Sequence, residues 1–114
     1  MQINFGKETR DVLIDHGYDI ADISWIGNLE YCLNITNFFE KADQCNYDNG
    51  YGSQHMPIDI VIVMKDGSYF SRREYDGSEW WCYNKVPQKP KKVAKIKSFN
   101  IDHWGWVSLK DFIN

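Results

Sequence analysis

No stretch of this sequence is apolar over the roughly 18–20 residues that a membrane-spanning helix needs. The N-terminal run MQINFGKETRDVLIDHGYD also lacks the basic-then-apolar layout of a secretory signal. Cysteine is scarce: Cys32, Cys45 and Cys82 are an odd number without a C-x-x-C pair, which argues against a disulfide framework. No Gly-rich phosphate loop, Walker motif or dinucleotide fingerprint is present. Acidic residues are spread along the chain rather than gathered in a block of about five or six, so imitation of a nucleic acid's charge has little support. These absences lead us to expect a soluble, cytoplasmic protein with reduced thiols, in which the sequon Asn34-Ile35-Thr36 is a chance match.

Aromatic residues, by contrast, are plentiful. Six Phe, seven Tyr and five Trp within 114 residues, and a hydrophobic fraction of 43%, are enough for one packed interior. The formal charge of −3 conceals a division. Lys85, Lys89, Lys91, Lys92, Lys95 and Lys97 form a run with no acid among them. Setting these six aside leaves 7 basic residues against 16 acidic ones, a net of −9 for the body. The chain is an acidic body carrying a Lys/Pro-rich strap at 85–97. Pro87 and Pro90 stiffen that strap as an extended connection.

The most structured reading falls on Ile58–Tyr83, IDIVIVMKDGSYFSRREYDGSEWWCY. It predicts three consecutive antiparallel strands. In the first, Ile58, Ile60, Ile62 and Met64 share one face and Val61 and Val63 the other, the pattern of a strand covered on both sides. Lys65-Asp66-Gly67 is read as a turn of the Asp-Gly type favoured in two-residue hairpins, and Tyr75-Asp76-Gly77-Ser78 as a second turn. In strand Ser68–Tyr75, Tyr69, Ser71 and Arg73 alternate with Phe70, Arg72 and Glu74. In strand Glu79–Tyr83, Glu79, Trp81 and Tyr83 oppose Trp80 and Cys82. Neighbouring residues on a strand face opposite ways, so one tryptophan can enter the core and the other must meet a loop, a helix or a partner.

Around the meander, residues 6–17 suit a helix with Val12 and Leu13 inward together with Phe5 and the aliphatic stem of Glu8, and Gly17 as its left-handed terminator. Ile23–Ile26 fits a strand, with Glu30–Asn34 as its hairpin partner across Gly27-Asn28. Asn37 and Glu40 read as the capping box of a second helix at 37–44, with Thr36 as the alternative cap. Cys45–Met56 reads as a long loop, whose acidic and amide groups lack calcium-loop spacing. Val93–Phe99 suggests a further strand, and Ser108 can cap a terminal helical turn, Leu109–Ile113.

Candidate chemistry is thin. His16, His55 and His103 have no Cys or acidic neighbour at metal-ligand spacing. Cys45 or Cys82 with His55 would be needed for a small hydrolase, without a supporting local signature. Glu74 and Glu79 flank the second turn as a conceivable acid/base pair, although an ion pair with Arg72 or Arg73 is the simpler reading. Tyr69, Phe70, Arg72, Arg73 and Tyr75 could stack bases and hold phosphates, yet the isoelectric point of about 5.5 is far from that of basic nucleic-acid binders.

The run Tyr47-Asp48-Asn49-Gly50-Tyr51-Gly52, then IDIVIVMKDGSYFSRREYDGSEWW, then the Lys/Pro strap and a short closing segment, resembles small proteins of bacteriophages and prophages of Gram-positive bacteria. In those a YD-G-YG loop, a strand pair around KDG and an EYDGSEWW turn follow in the same order. The resemblance covers residues 20–114 and is strongest over 47–81. It implies a setting, the cytoplasm of a bacterial host, rather than an activity. Small phage accessory proteins of this kind bind and block host proteins, among them nucleases of defence systems such as CRISPR.

The expectation is therefore a single α+β domain over 1–114, with a central antiparallel meander and two short helices packed on it. It would be a non-enzymatic module without cofactor or metal that binds and inhibits or modulates a host protein. Its contact residues would be Arg72, Arg73, Tyr75 and Trp80 or Trp81, with Tyr47 and Tyr51 of the adjoining loop. The alternatives are a nucleic-acid binder using the lysine strap and sheet aromatics, and the Cys/His hydrolase.

Overall fold

The computed structural model describes residues 2–50, 53–99 and 108–113. They form an α+β arrangement: two helices, a five-stranded antiparallel sheet and a two-stranded one. In chain order the elements are β1 (Gln2–Asn4), α1 (Phe5–Asp15), β2 (Ile23–Gly27), β3 (Cys32–Leu33), α2 (Ile35–Asp43), β4 (Asn46–Asp48), β5 (Val61–Met64), β6 (Tyr69–Tyr75) and β7 (Ser78–Asn84). The larger sheet runs β3-β2-β5-β6-β7, and β1 pairs with β4.

The meander is present as β5-β6-β7, in a continuous register from Tyr69↔Asn84 to Tyr75↔Ser78. The two turns differ from one another. At the second, Asp76 and Gly77 both have positive φ (51° and 86°), the two-residue hairpin geometry that matches strand twist. At the first, only Gly67 is left-handed, the Gly67 N–H reaches the Met64 carbonyl, and Met64 N–H reaches Ser68 O. That turn therefore has three residues, not two. The first strand is also shorter than the alternation suggests. Ile58 and Asp59 are exposed and pairing begins at Val61, because Pro57 and the turn after it hold the chain off the sheet.

Side-chain alternation sorts the sheet into two faces. Ile26, Ile62, Met64, Phe70 and Trp81 are buried on the inner face. Against them pack Phe5 and Leu13 of α1, and Phe38, Phe39 and Ala42 of α2. Helix α1 follows its sequence signals closely: the Asn4 side chain accepts the Lys7 N–H, and Gly17 closes the end with φ of 82°. Helix α2 begins earlier than the Asn37 capping box implied. Asn34 is its cap, accepting from Asn37 N–H at 2.8 Å, and this carries Ile35 onto the core.

Three other expectations are corrected. The hairpin partner of β2 lies within Glu30–Asn34 as expected but is only Cys32–Leu33, because Asn28 folds a turn back on itself by accepting the N–H groups of Glu30 and Tyr31. The loop Cys45–Met56 contains β4, paired Ile3↔Tyr47 with β1. Three-residue strands such as these carry no readable period. The anticipated strand Val93–Phe99 reduces to one bridge, Ile96↔Ile113, since Val93 and Phe99 find no covered face and stay exposed. The terminal helical turn is present as Leu109–Phe112, with the Ser108 N–H bonded to Asp111. His103 and the Trp104-Gly105-Trp106 segment lie outside the described residues. No described helix is long and apolar enough to cross a membrane.

Gly6 of α1 lies tight against the end of α2, where a Cβ would lie 2.9 Å from the Asp43 backbone nitrogen. Gly6→Ala is expected to destabilise the fold by about 1–3 kcal/mol through overpacking, measured by urea denaturation; unchanged stability would show that the helices can move apart freely.

Candidate functional site

Two groups of residues stand out, one buried in the inner face and one displayed on the outer.

The inner group is built around Arg72. Its place on β6 shares the parity of Phe70, so the side chain must enter the core, where only 4% of the residue remains exposed. A buried guanidinium needs acceptors, and three elements supply its surroundings. Nη2 donates to Glu79 Oε1 of β7 at 2.9 Å and to the Tyr47 hydroxyl of β4 at 3.0 Å. Nη1 reaches Glu8 Oε2 of α1 at 3.4 Å. Tyr47 in turn donates to Glu8 Oε1 at 2.6 Å. The guanidinium lies against two aromatic rings, its Cζ 4.9 Å from the Trp81 centroid and 5.3 Å from that of Phe5. Nε alone has no partner. Trp81 is tied to the same helix, its indole N–H donating to Thr9 Oγ1 at 2.9 Å.

Glu79 is also held from the loop side, accepting the backbone N–H groups of His55 (2.6 Å) and Met56 (3.1 Å). Burial alone would raise its carboxyl. The His55 N–H, the Arg72 guanidinium and the Met56 N–H outweigh burial and hold it below the usual carboxylate range. Tyr47 is pushed up, first by burial and then by its bond to Glu8, so the phenol keeps its proton. With its carboxylate ionised and fully engaged, Glu79 does not have the features of a general acid. The suggested pairing with Glu74 does not form a dyad: Glu74 accepts the Gly77 N–H in the turn, and Glu79 takes the ion pair with Arg72.

The outer group follows from the opposite parity. Trp25, Val63, Tyr69 and Asn84 lie in one row across β2-β5-β6-β7, and Val61, Ser71 and Cys82 in the next. Arg73 then pairs with Trp80, and Tyr75 with Ser78. Tyr69, Arg73, Tyr75 and Trp80 are exposed, Tyr75 at 76% and Trp80 at 43%. Both described helices pack on the other side.

The proposed contact residues therefore separate. Arg73, Tyr75 and Trp80 come together on the outer face. Arg72, Trp81 and Tyr47 are internal, and their expected exposure is corrected: strand parity directs them inward, where Arg72 bonds Tyr47 and lies against Trp81. Tyr51 lies outside the described residues. The structure adds Tyr69 and Trp25 to the outer face. It also reveals the role of the Glu8 carboxylate, whose stem alone was expected to face inward, and of Thr9, which the sequence did not single out. An inward-facing arginine on a strand was the available signal, since such a charge requires a buried acid.

Other chemistry is not assembled among the described residues. Cys45 Sγ lies near Met56 Sδ, the His55 ring packs against Tyr47, and neither Cys45 nor Cys82 bonds a histidine. His16 caps α1 and packs on Tyr83. Among the described residues, no group of three or more His, Cys, Asp or Glu is placed to hold a metal ion. No protein-family model, curated protein or solved structure matches the chain.

Removing one side of the buried pair leaves the other charge stranded. Arg72→Ala is expected to destabilise by about 3–5 kcal/mol, read from urea midpoints. Because Glu79 has a depressed pKa in the fold, its stabilisation is complete above the unfolded carboxylate value of about 4.3 and is lost as pH falls through the lower folded value. Glu79→Gln should therefore be less stable at pH 7 and show a shallower loss on acidification. Parallel pH profiles for the two proteins would refute this account of Glu79.

Proposed function

We propose that this chain is a non-enzymatic binding module that docks on another protein through the outer face of its sheet. In the setting that the phage resemblance implies, the partner is a host protein that the module inhibits or modulates, such as a nuclease of a defence system.

The observation that supports this reading is the division of the β6–β7 hairpin. The ionisable groups of the inner face, Arg72, Glu79, Glu8 and Tyr47, are bound to one another inside. The side chains best suited to recognition stand free on the other face. Tyr69, Tyr75, Trp80 and Arg73 combine aromatic area with one planar cation, the residue types that dominate binding energy at protein interfaces. They stand on a paired sheet rather than a loop, so little ordering is needed on contact.

A second reading rests on the strap. All six lysines between Lys85 and Lys97 are exposed, directly after β7. A nucleic acid lying over the aromatic face could place its phosphates along them. The acidic remainder of the chain opposes this, and salt distinguishes the two. Strap-driven binding weakens steeply as salt rises, whereas docking centred on Trp80 and Tyr75 does not.

The test is capture of partners from a bacterial host lysate, followed by affinity measurement on the purified partner. Trp80→Ala and Arg73→Glu should each weaken binding roughly 10- to 30-fold, about 1.4–2 kcal/mol, with unfolding midpoints unchanged. Equal affinity of wild type and both variants would reject the outer face as the contact surface. Binding to single-stranded DNA or RNA that disappears at high salt would favour the second reading.

A further inference from the structure

Strand β7 ends the sheet, and only part of its outer edge is occupied. In antiparallel pairing, the N–H and C=O of a residue point to the same side and alternate along the strand. The Glu79 N–H points away from β6, because it bonds the Asn49 carbonyl at 2.8 Å. The unbroken register of β6 with β7 then directs the backbone groups of Trp81 and Tyr83 outward as well. The alternation continues past the strand, since the Val86 N–H turns inward to Ser68 Oγ. Lys85 is therefore the third outward residue. The next outward position is Pro87, which has no N–H to donate. The free edge is thus Trp81, Tyr83 and Lys85, closed at one end by Asn49 and at the other by proline. No described residue pairs with it.

We propose that this edge is completed by β7 of a second copy of the same chain, forming a twofold dimer with one continuous ten-stranded sheet. The three free positions are symmetric about Tyr83. One antiparallel register uses all of them: Tyr83 opposite Tyr83 of the second copy, and Trp81 opposite its Lys85. That register makes six backbone hydrogen bonds and stops on both sides where the edge is already closed.

Charge supports a second copy as the occupant. In this register each lysine strap leaves its strand toward the Glu79 end of the other copy's hairpin, beside Glu74 and Asp76. A strap with six lysines then meets a body that is otherwise −9. The dimer would place two outer faces side by side, so a repeated or twofold partner would gain from avidity.

The experiment is sedimentation of the full chain at about 100 µM, with two variants. Wild type should sediment at about 27 kDa, twice the chain mass of 13.5 kDa. Lys85→Pro removes an outward N–H with no partner inside the chain. It should shift the protein to the monomer mass while its circular dichroism stays the same. The register also sets Cys82 opposite Asn84 of the second copy, in the close, non-hydrogen-bonded type of pair. A Cys32→Ser/Cys45→Ser/Asn84→Cys variant should accordingly form covalent dimers on mild oxidation with diamide. The same protein retaining Asn84 should not. A monomeric wild type, or a Lys85→Pro variant that stays folded and dimeric, would overturn the proposal. If Lys85→Pro fails to fold, the crosslink decides: its absence overturns the register.

Discussion

One buried cation organises this structure. Arg72 sits where strand parity allows only a core residue, and its charge can stay there only because groups from α1, β4 and β7 converge on it. A hydrophobic residue of similar volume would fill the space without requiring any of them. With arginine present, Glu8 must face the sheet, the Tyr47 strand must lie beside α1, and the loop through His55 and Met56 must close over Glu79. Directional bonds thus fix the relation between the small β1–β4 sheet and the large one, a relation that apolar contact alone would specify loosely.

Much of this fold was legible because period-two alternation is long and clean in β6 and β7. The Asp-Gly turns marked the hairpin ends, and Gly17 marked the end of α1. Legibility failed where elements were too short to show a period. β1 and β4 have three residues each, β3 has two, and they exist through pairing with distant segments. The start of α2 was misplaced for a related reason. Asn34, Thr36 and Asn37 are all competent caps, and the choice is made by the tertiary burial of Ile35. Alternation at Val93–Phe99 misled in the opposite direction, since a pattern yields a strand only where another strand is available.

The candidate site was half legible. Alternation correctly placed Arg73 and Trp80 opposite Arg72 and Trp81 in orientation, but residue type alone made both pairs look like contact surface. Arginine and tryptophan are favoured at interfaces and are equally able to form a buried cation–aromatic stack. What decided between them was the position of Glu8, 64 residues from Arg72 in the chain. No local pattern carries that information.

The separation of the two hairpin faces has a consequence for how such a protein can change over time. Arg73, Tyr75 and Trp80 take no part in the Arg72 network, although each stands on a strand that builds it. Substitutions on the outer face therefore alter shape and charge while leaving the internal bonds intact. Sequence change can accumulate there on a frame whose integrity is maintained by different residues. The outer face can drift quickly while the architecture is inherited almost unchanged.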